Sequence, residues 1–121
     1  MGNLLTDIAL IEARMQELIK KLIENYMRQY PNQSGSRYIH AIDYQIETGK
    51  KYHKIMMIDH PGTDQQGRSV HAFISRQTGA VYKPASWRAP AKIARYNLLD
   101  DISYQQCLDR ADWCGHYLYL R

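Results

Sequence analysis

Leu4, Ile8, Ile11, Met15, Leu18 and Leu22 recur at alternating steps of four and three, and Leu5, Ile19 and Ile23 widen the same stripe. That spacing predicts one amphipathic helix over residues 4–29. A helix this long gains most of its stability by laying its apolar side on something else, so the rest of the chain has to supply a surface. Asn3 or Thr6 can cap its start, and Asp7 sits near the positive end of the dipole. Glu17 with Lys21 and Glu24 with Arg28 are acid-before-base pairs four apart, each worth a few tenths of a kcal/mol. Tyr30-Pro31-Asn32 ends it, because proline disfavours helical geometry in the residue before it. The stripe holds for only about three heptads, enough to permit a zipper but not to require one. Its width favours packing on a sheet, with a homodimer or higher oligomer through part of this helix as a further expectation.

Beyond the polar link Gln33-Ser34-Gly35-Ser36 the period changes to two. Tyr38, His40, Ile42, Tyr44 and Ile46 alternate with polar or small residues, and Tyr52 to Ile58 follows a turn at residues 47–50. Ile55-Met56-Met57-Ile58 is apolar on both faces, as in a central strand. Ser69 to Ser75 and Ala80 to Lys83 predict a second hairpin, with Gly79 supplying the positive φ of a tight turn. Residues 84–97 break the pattern and predict an irregular segment. Asp100 or Asp101 caps a short helix, and Tyr117-Leu118-Tyr119-Leu120 predicts a last strand. The expected class is α+β, a single domain over residues 1–121: a long N-terminal helix (4–29) on an antiparallel sheet of about five strands, with two hairpins (37–83), a loop (84–97), and a short helix and final strand (100–121).

No apolar run approaches the ~18 residues of a membrane span, and the mean hydropathy is -0.56, so no membrane role is expected. The N-terminus has no charged leader before an apolar core, which predicts no signal peptide. Cys107 and Cys114 are spaced unlike a zinc knuckle, and no histidine pair completes a set, so reduced thiols and no metal are expected.

The net charge of +4 is modest, but its distribution is uneven. No acid lies between Asp64 and Asp100, where Arg68, Arg76, Lys83, Arg88, Lys92 and Arg95 all fall. Such a block attracts anions whatever the total. Within it, Lys83, Arg88, Lys92 and Arg95 interleave with Tyr82, Trp87 and Tyr96, braced by Pro84 and Pro90. Cations meet phosphate through charge-assisted hydrogen bonds, and aromatic faces stack on bases for about 1–3 kcal/mol each. These seven residues are the candidate ligand-binding set. The bland alternative is Trp87 as a core plug with solvated bases around it.

His40, His53, His60, His71 and His116 are scattered, and His53 and His71 read as out of phase with their apolar neighbours, hence solvent-side or hydrogen-bonded structure. Nucleophile elbows, His-Glu-x-x-His and Gly-rich phosphate loops are absent. A binding protein without catalytic residues or cofactor is expected; were there chemistry, His71 or His60 would be first to examine. Ten tyrosines against one phenylalanine also suit a binding surface.

From about His71 to Leu120 the chain resembles a widespread group of small tailed-bacteriophage proteins without assigned activity. Thr78-Gly79, Val81, Lys83, Ala85, Trp87-Arg88, Pro90-Ala91-Lys92, Ala94-Arg95, Asn97, Asp100-Asp101, Trp113, Gly115 and Tyr119-Leu120 carry the resemblance. Tyr96 stands where members of that group have glycine, and the N-terminal helix and first hairpin lie outside it, as a lineage-specific addition would. The resemblance implies a phage origin and expression in the cytoplasm of an infected bacterium. The functional expectation is an accessory protein for host takeover or anti-defence that binds or sequesters a phosphate-bearing nucleotide ligand. A single-stranded nucleic-acid binder, or a protein–protein inhibitor of a host or defence factor, is the alternative.

Overall fold

The computed structural model describes residues 4–30 and 42–119. The Gln33–Ser36 link, Tyr38, His40, Pro31, Asn3 and Leu120 lie outside them. Helix α1 (Leu4–Gln29) runs unbroken, and Ile11, Met15, Leu18, Ile19, Leu22 and Tyr26 enter one core with Ile42, Tyr44, Ile55, Ala72, Ile74 and Val81 of the strands. Each such side chain contributes about 1.5–3 kcal/mol on burial. The ion pair on this helix, Lys21 with Glu24 at 3.8 Å, contributes well under 1 kcal/mol. The stripe, not the charges, holds α1, and it does so within the chain.

The sheet is a simple antiparallel meander of β1 (Ile42–Thr48), β2 (Tyr52–Asp59), β3 (Gly67–Ser75), β4 (Ala80–Tyr82) and β5 (Tyr96–Asn97), in that spatial order. β2 lies between β1 and β3 with Met56 and Ile58 as buried as Ile55, as its two apolar faces predict. Gly79 turns β3 into β4 at φ +77, and a Cβ there would come within 3.0 Å of Leu99 Cγ, so both backbone and space exclude a side chain.

Two expectations are corrected. The fifth strand is Tyr96–Asn97, where the expectation put the segment from Tyr117, because Arg95 and Leu98 donate their amides to Val81 and Gly79 and take that edge of β4. The C-terminal segment forms a 3-10 turn at His116–Leu118 that buries Leu118. Nor are residues 84–97 irregular throughout. Pro84 bridges Pro90, Ala91 N donates to Lys83 O at 2.7 Å, and Ser86 Oγ accepts from the amides of Arg88 and Ala89. They form a short hairpin arm with Trp87 and Arg88 at its tip.

Helix α2 (Asp101–Arg110) starts where expected, with Asp100 Oδ1 accepting from Ile102 N and Ser103 N. Arg14 ties it to α1, donating to Leu98 O and Asp101 Oδ1, each at 2.8 Å, with its guanidinium 4.4 Å over the Tyr104 ring.

Candidate functional site

The seven candidate residues divide between three places. Arg95 and Tyr96 turn inward. Arg95 Nε donates to Leu118 O at 2.6 Å and its Nη1 to Ile93 O, so two edges of the guanidinium are engaged by carbonyls. Tyr96 is buried, its hydroxyl on Tyr117 O at 3.1 Å and its ring stacked on Tyr117. Its backbone is extended β5, and His60 alone among described non-glycine residues has positive φ. The Tyr96 ring fills core without backbone strain. Lys83 turns aside, donating to Pro84 O at 3.3 Å and lying 4.7 Å over the Tyr119 ring.

Tyr82, Trp87, Arg88 and Lys92 remain; Tyr82 and Trp87 lie on the sheet face opposite α1, and there the structure adds residues absent from the candidate set. Register aligns Lys54, Phe73 and Tyr82 across three strands. Lys54 Nζ lies 5.3 Å from the Trp87 ring centre and 5.7 Å from that of Phe73. Tyr52 packs edge-on against both Phe73 and Tyr82. Trp87, Lys54, Phe73, Tyr52 and Tyr82 thus form one continuous aromatic and cationic row, in which Phe73 is itself buried while Trp87 is exposed and Tyr52, Lys54 and Tyr82 are half-buried. Trp87 is 47% exposed, which excludes the core-plug reading. Arg88 and Lys92 are exposed, with no side-chain partner among the described residues.

At the far end of the row lies a cleft of about 510 Å³ lined by Lys50, Lys51, Arg76, Tyr52 and Tyr82 together with Ile8, Ser75, Gln77 and Thr78. Tyr52 and Lys54 were legible in principle: they share one phase of β2, the one opposite His53 and Ile55.

The sheet's other face carries a buried polar cluster. β3 bulges opposite Ile55 and Met56, whose partners are Ala72 and Val70, so His71 is the extra residue. Bulges re-aim side chains, and His71 points inward, its Nε2 2.8 Å from the Tyr117 hydroxyl and its ring edge-on to Tyr44. Burial holds it down at a pKa of about 4, leaving it neutral at pH 7. His53 is buried too, paired with Thr48 Oγ1 at 2.8 Å, and its pKa is lowered by burial and then by Arg76. Both histidines are thus hydrogen-bonded structure, one of the two expected readings, and the solvent-side alternative is corrected. β2 is apolar on both sides, and the bulge shifts β3, so alternation cannot locate them. His71 sits inside rather than beside the basic segment, and His60 is exposed in the β2–β3 turn. Burial also pushes the Cys107 thiol up to about 12.

The sequence profile of DUF7717, a family of unknown function, matches residues 5–120. The chain belongs to that family. The match takes in α1 and the first hairpin, which are part of the family's frame and not an addition to it. No curated protein and no solved structure matches the chain. None of the described helices is long and apolar enough to cross a membrane.

Proposed function

We propose that this protein is a non-enzymatic binder of single-stranded nucleic acid, using the row from Trp87 to Tyr82. The observation that carries the reading is the Trp87–Lys54–Phe73–Tyr52–Tyr82 run of contacts, open to solvent at Trp87 and flanked by Arg88. Successive bases stack on aromatic side chains while cations follow the backbone, the arrangement such binders share. The row runs across three strands to the arm, a length that suits a polymer better than one nucleotide, for which the concave cleft at its end is the competing seat. The two ligands share phosphate and base, and the same experiment separates them.

As an accessory protein of a phage, the chain would act by sequestering such strands in the infected host. Self-association through the remaining surface of α1 belongs to the same proposal, and sedimentation of the free protein tests it.

Fluorescence anisotropy with labelled single-stranded oligonucleotides, competed by mononucleotides, cyclic nucleotides and duplex, tests the function. The expected result is binding to single strands whose association constant, on a logarithmic scale, falls linearly with the logarithm of salt, with a slope near -0.7 per phosphate engaged. Displacement by a mononucleotide at similar concentration would favour the nucleotide reading. Silence across the panel would leave the protein–protein reading.

A further inference from the structure

The cleft beyond Tyr52 and Tyr82 differs from the rest of the row in being concave and more highly charged. Lys50 and Lys51 come from the β1–β2 turn and Arg76 from the β3–β4 turn. The two turns are fastened together: Arg76 N donates to Lys51 O at 3.0 Å, and Arg76 Nη1 to Gly49 O at 2.7 Å. The guanidinium is thereby held in place with its other N–H groups available. The ammonium groups of Lys50 and Lys51 have no partner among the described residues, and no acid lines the cleft. Its hydroxyl-bearing wall, Ser75 and Thr78, adds neutral groups able to meet an oxygen.

Three cations around one concavity are more than an internal phosphate requires. A phosphodiester inside a strand carries one negative charge. A terminal phosphomonoester carries about -1.5 to -2 at pH 7 and presents three acceptor oxygens. The cleft is also where the row stops: Tyr52 and Tyr82 form both its wall and the last rings available for stacking. We infer that this cleft seats the terminal phosphate of a single strand whose adjoining bases lie on the row, so that the protein recognises phosphorylated strand ends. The inference rests on the single-strand reading above.

The test compares one short oligonucleotide with a hydroxyl at both ends, a 5′-phosphate or a 3′-phosphate, the fluorophore always at the opposite end. One phosphorylated form is expected to bind about tenfold more tightly than the hydroxyl form, equivalent to about 1.4 kcal/mol. Lys50→Gln with Lys51→Gln, which touches no described side-chain contact, should abolish that difference, so that the phosphorylated and hydroxyl forms bind with the same affinity. Arg76→Gln should do the same if the turn stays folded, and the lysine pair decides the matter if it does not. Which end gains tells the polarity of the strand. Equal affinity for all three ends, with binding still lost on Trp87→Ala, overturns the cleft assignment and leaves the single-strand reading standing. A phosphate gain that survives the lysine substitutions also overturns it. No binding of any form defeats the reading on which the inference rests.

Discussion

The two faces of this sheet are made of similar residues put to opposite uses. On the face toward α1, Tyr44, His71, Tyr117 and Tyr96 close on one another, with His71 Nε2 on the Tyr117 hydroxyl, the Tyr96 hydroxyl on Tyr117 O and the Tyr44 hydroxyl without a partner. On the opposite face, Tyr52, Tyr82, Trp87 and Lys54 touch mainly through rings, with Trp87 open to water. Aromatic and basic residues alone therefore do not mark a binding site; what marks it is groups left without an internal partner on a shared, accessible surface.

The largest expected effect separates the faces by stability. Tyr96→Ala removes a buried ring and the hydroxyl bond to Tyr117, and should cost about 3–5 kcal/mol in urea denaturation. A loss under 1 kcal/mol would mean that the inner cluster is not core.

Acid should act on the inner face next. His71 binds its proton less readily folded, near pH 4, than unfolded, near 6.5. The unfolded state therefore holds the extra proton between those values, and stability falls as pH drops through that window, by about 3 kcal/mol. His53 is shifted the same way. His71→Gln, compared with the parent by urea denaturation at pH 7 and 4.5, should flatten the dependence. An equally steep loss in the variant would assign it to other groups.

Trp87→Ala sharpens the contrast. It should lower affinity for a single strand by about 1–3 kcal/mol and leave stability within about 0.5 kcal/mol. The reverse pattern would return Trp87 to the scaffold. The smallest effect concerns Glu47, which pairs in register with Lys54 and makes an ion pair with Arg68. Glu47→Gln removes an acid beside the row and should tighten binding by less than about 1 kcal/mol, most visibly at low salt; weaker binding would mean that Arg68 depends on it.

The fold was largely legible in the residues. The α1 stripe, the doubly apolar β2, Gly79 and the Asp100 cap each state a local requirement that one structure satisfies. Two features were not. A bulge leaves no mark on alternation, so the pattern left His71 open between solvent and a hydrogen-bonded interior place. A two-residue strand such as Tyr96–Asn97 is too short to show a period at all. The site was legible only in part for a related reason. Tyr82, Trp87 and Arg88 are neighbours in the chain, but Lys50, Lys51, Tyr52, Lys54 and Arg76 join them through strand pairing. Arg95 and Tyr96 read as site residues because sequence proximity says nothing about which side of an edge strand a side chain takes.

The chain has two tryptophans, and Trp113 is held against α1 by Gln29 and Tyr26. In a Trp113→Phe protein, Trp87 is the sole tryptophan and reports on the row directly. Titration with a thymidine oligonucleotide should quench its fluorescence saturably, and added salt should reverse the quench. Oligonucleotide binding with Trp87 emission unchanged would place the ligand elsewhere and contradict the account.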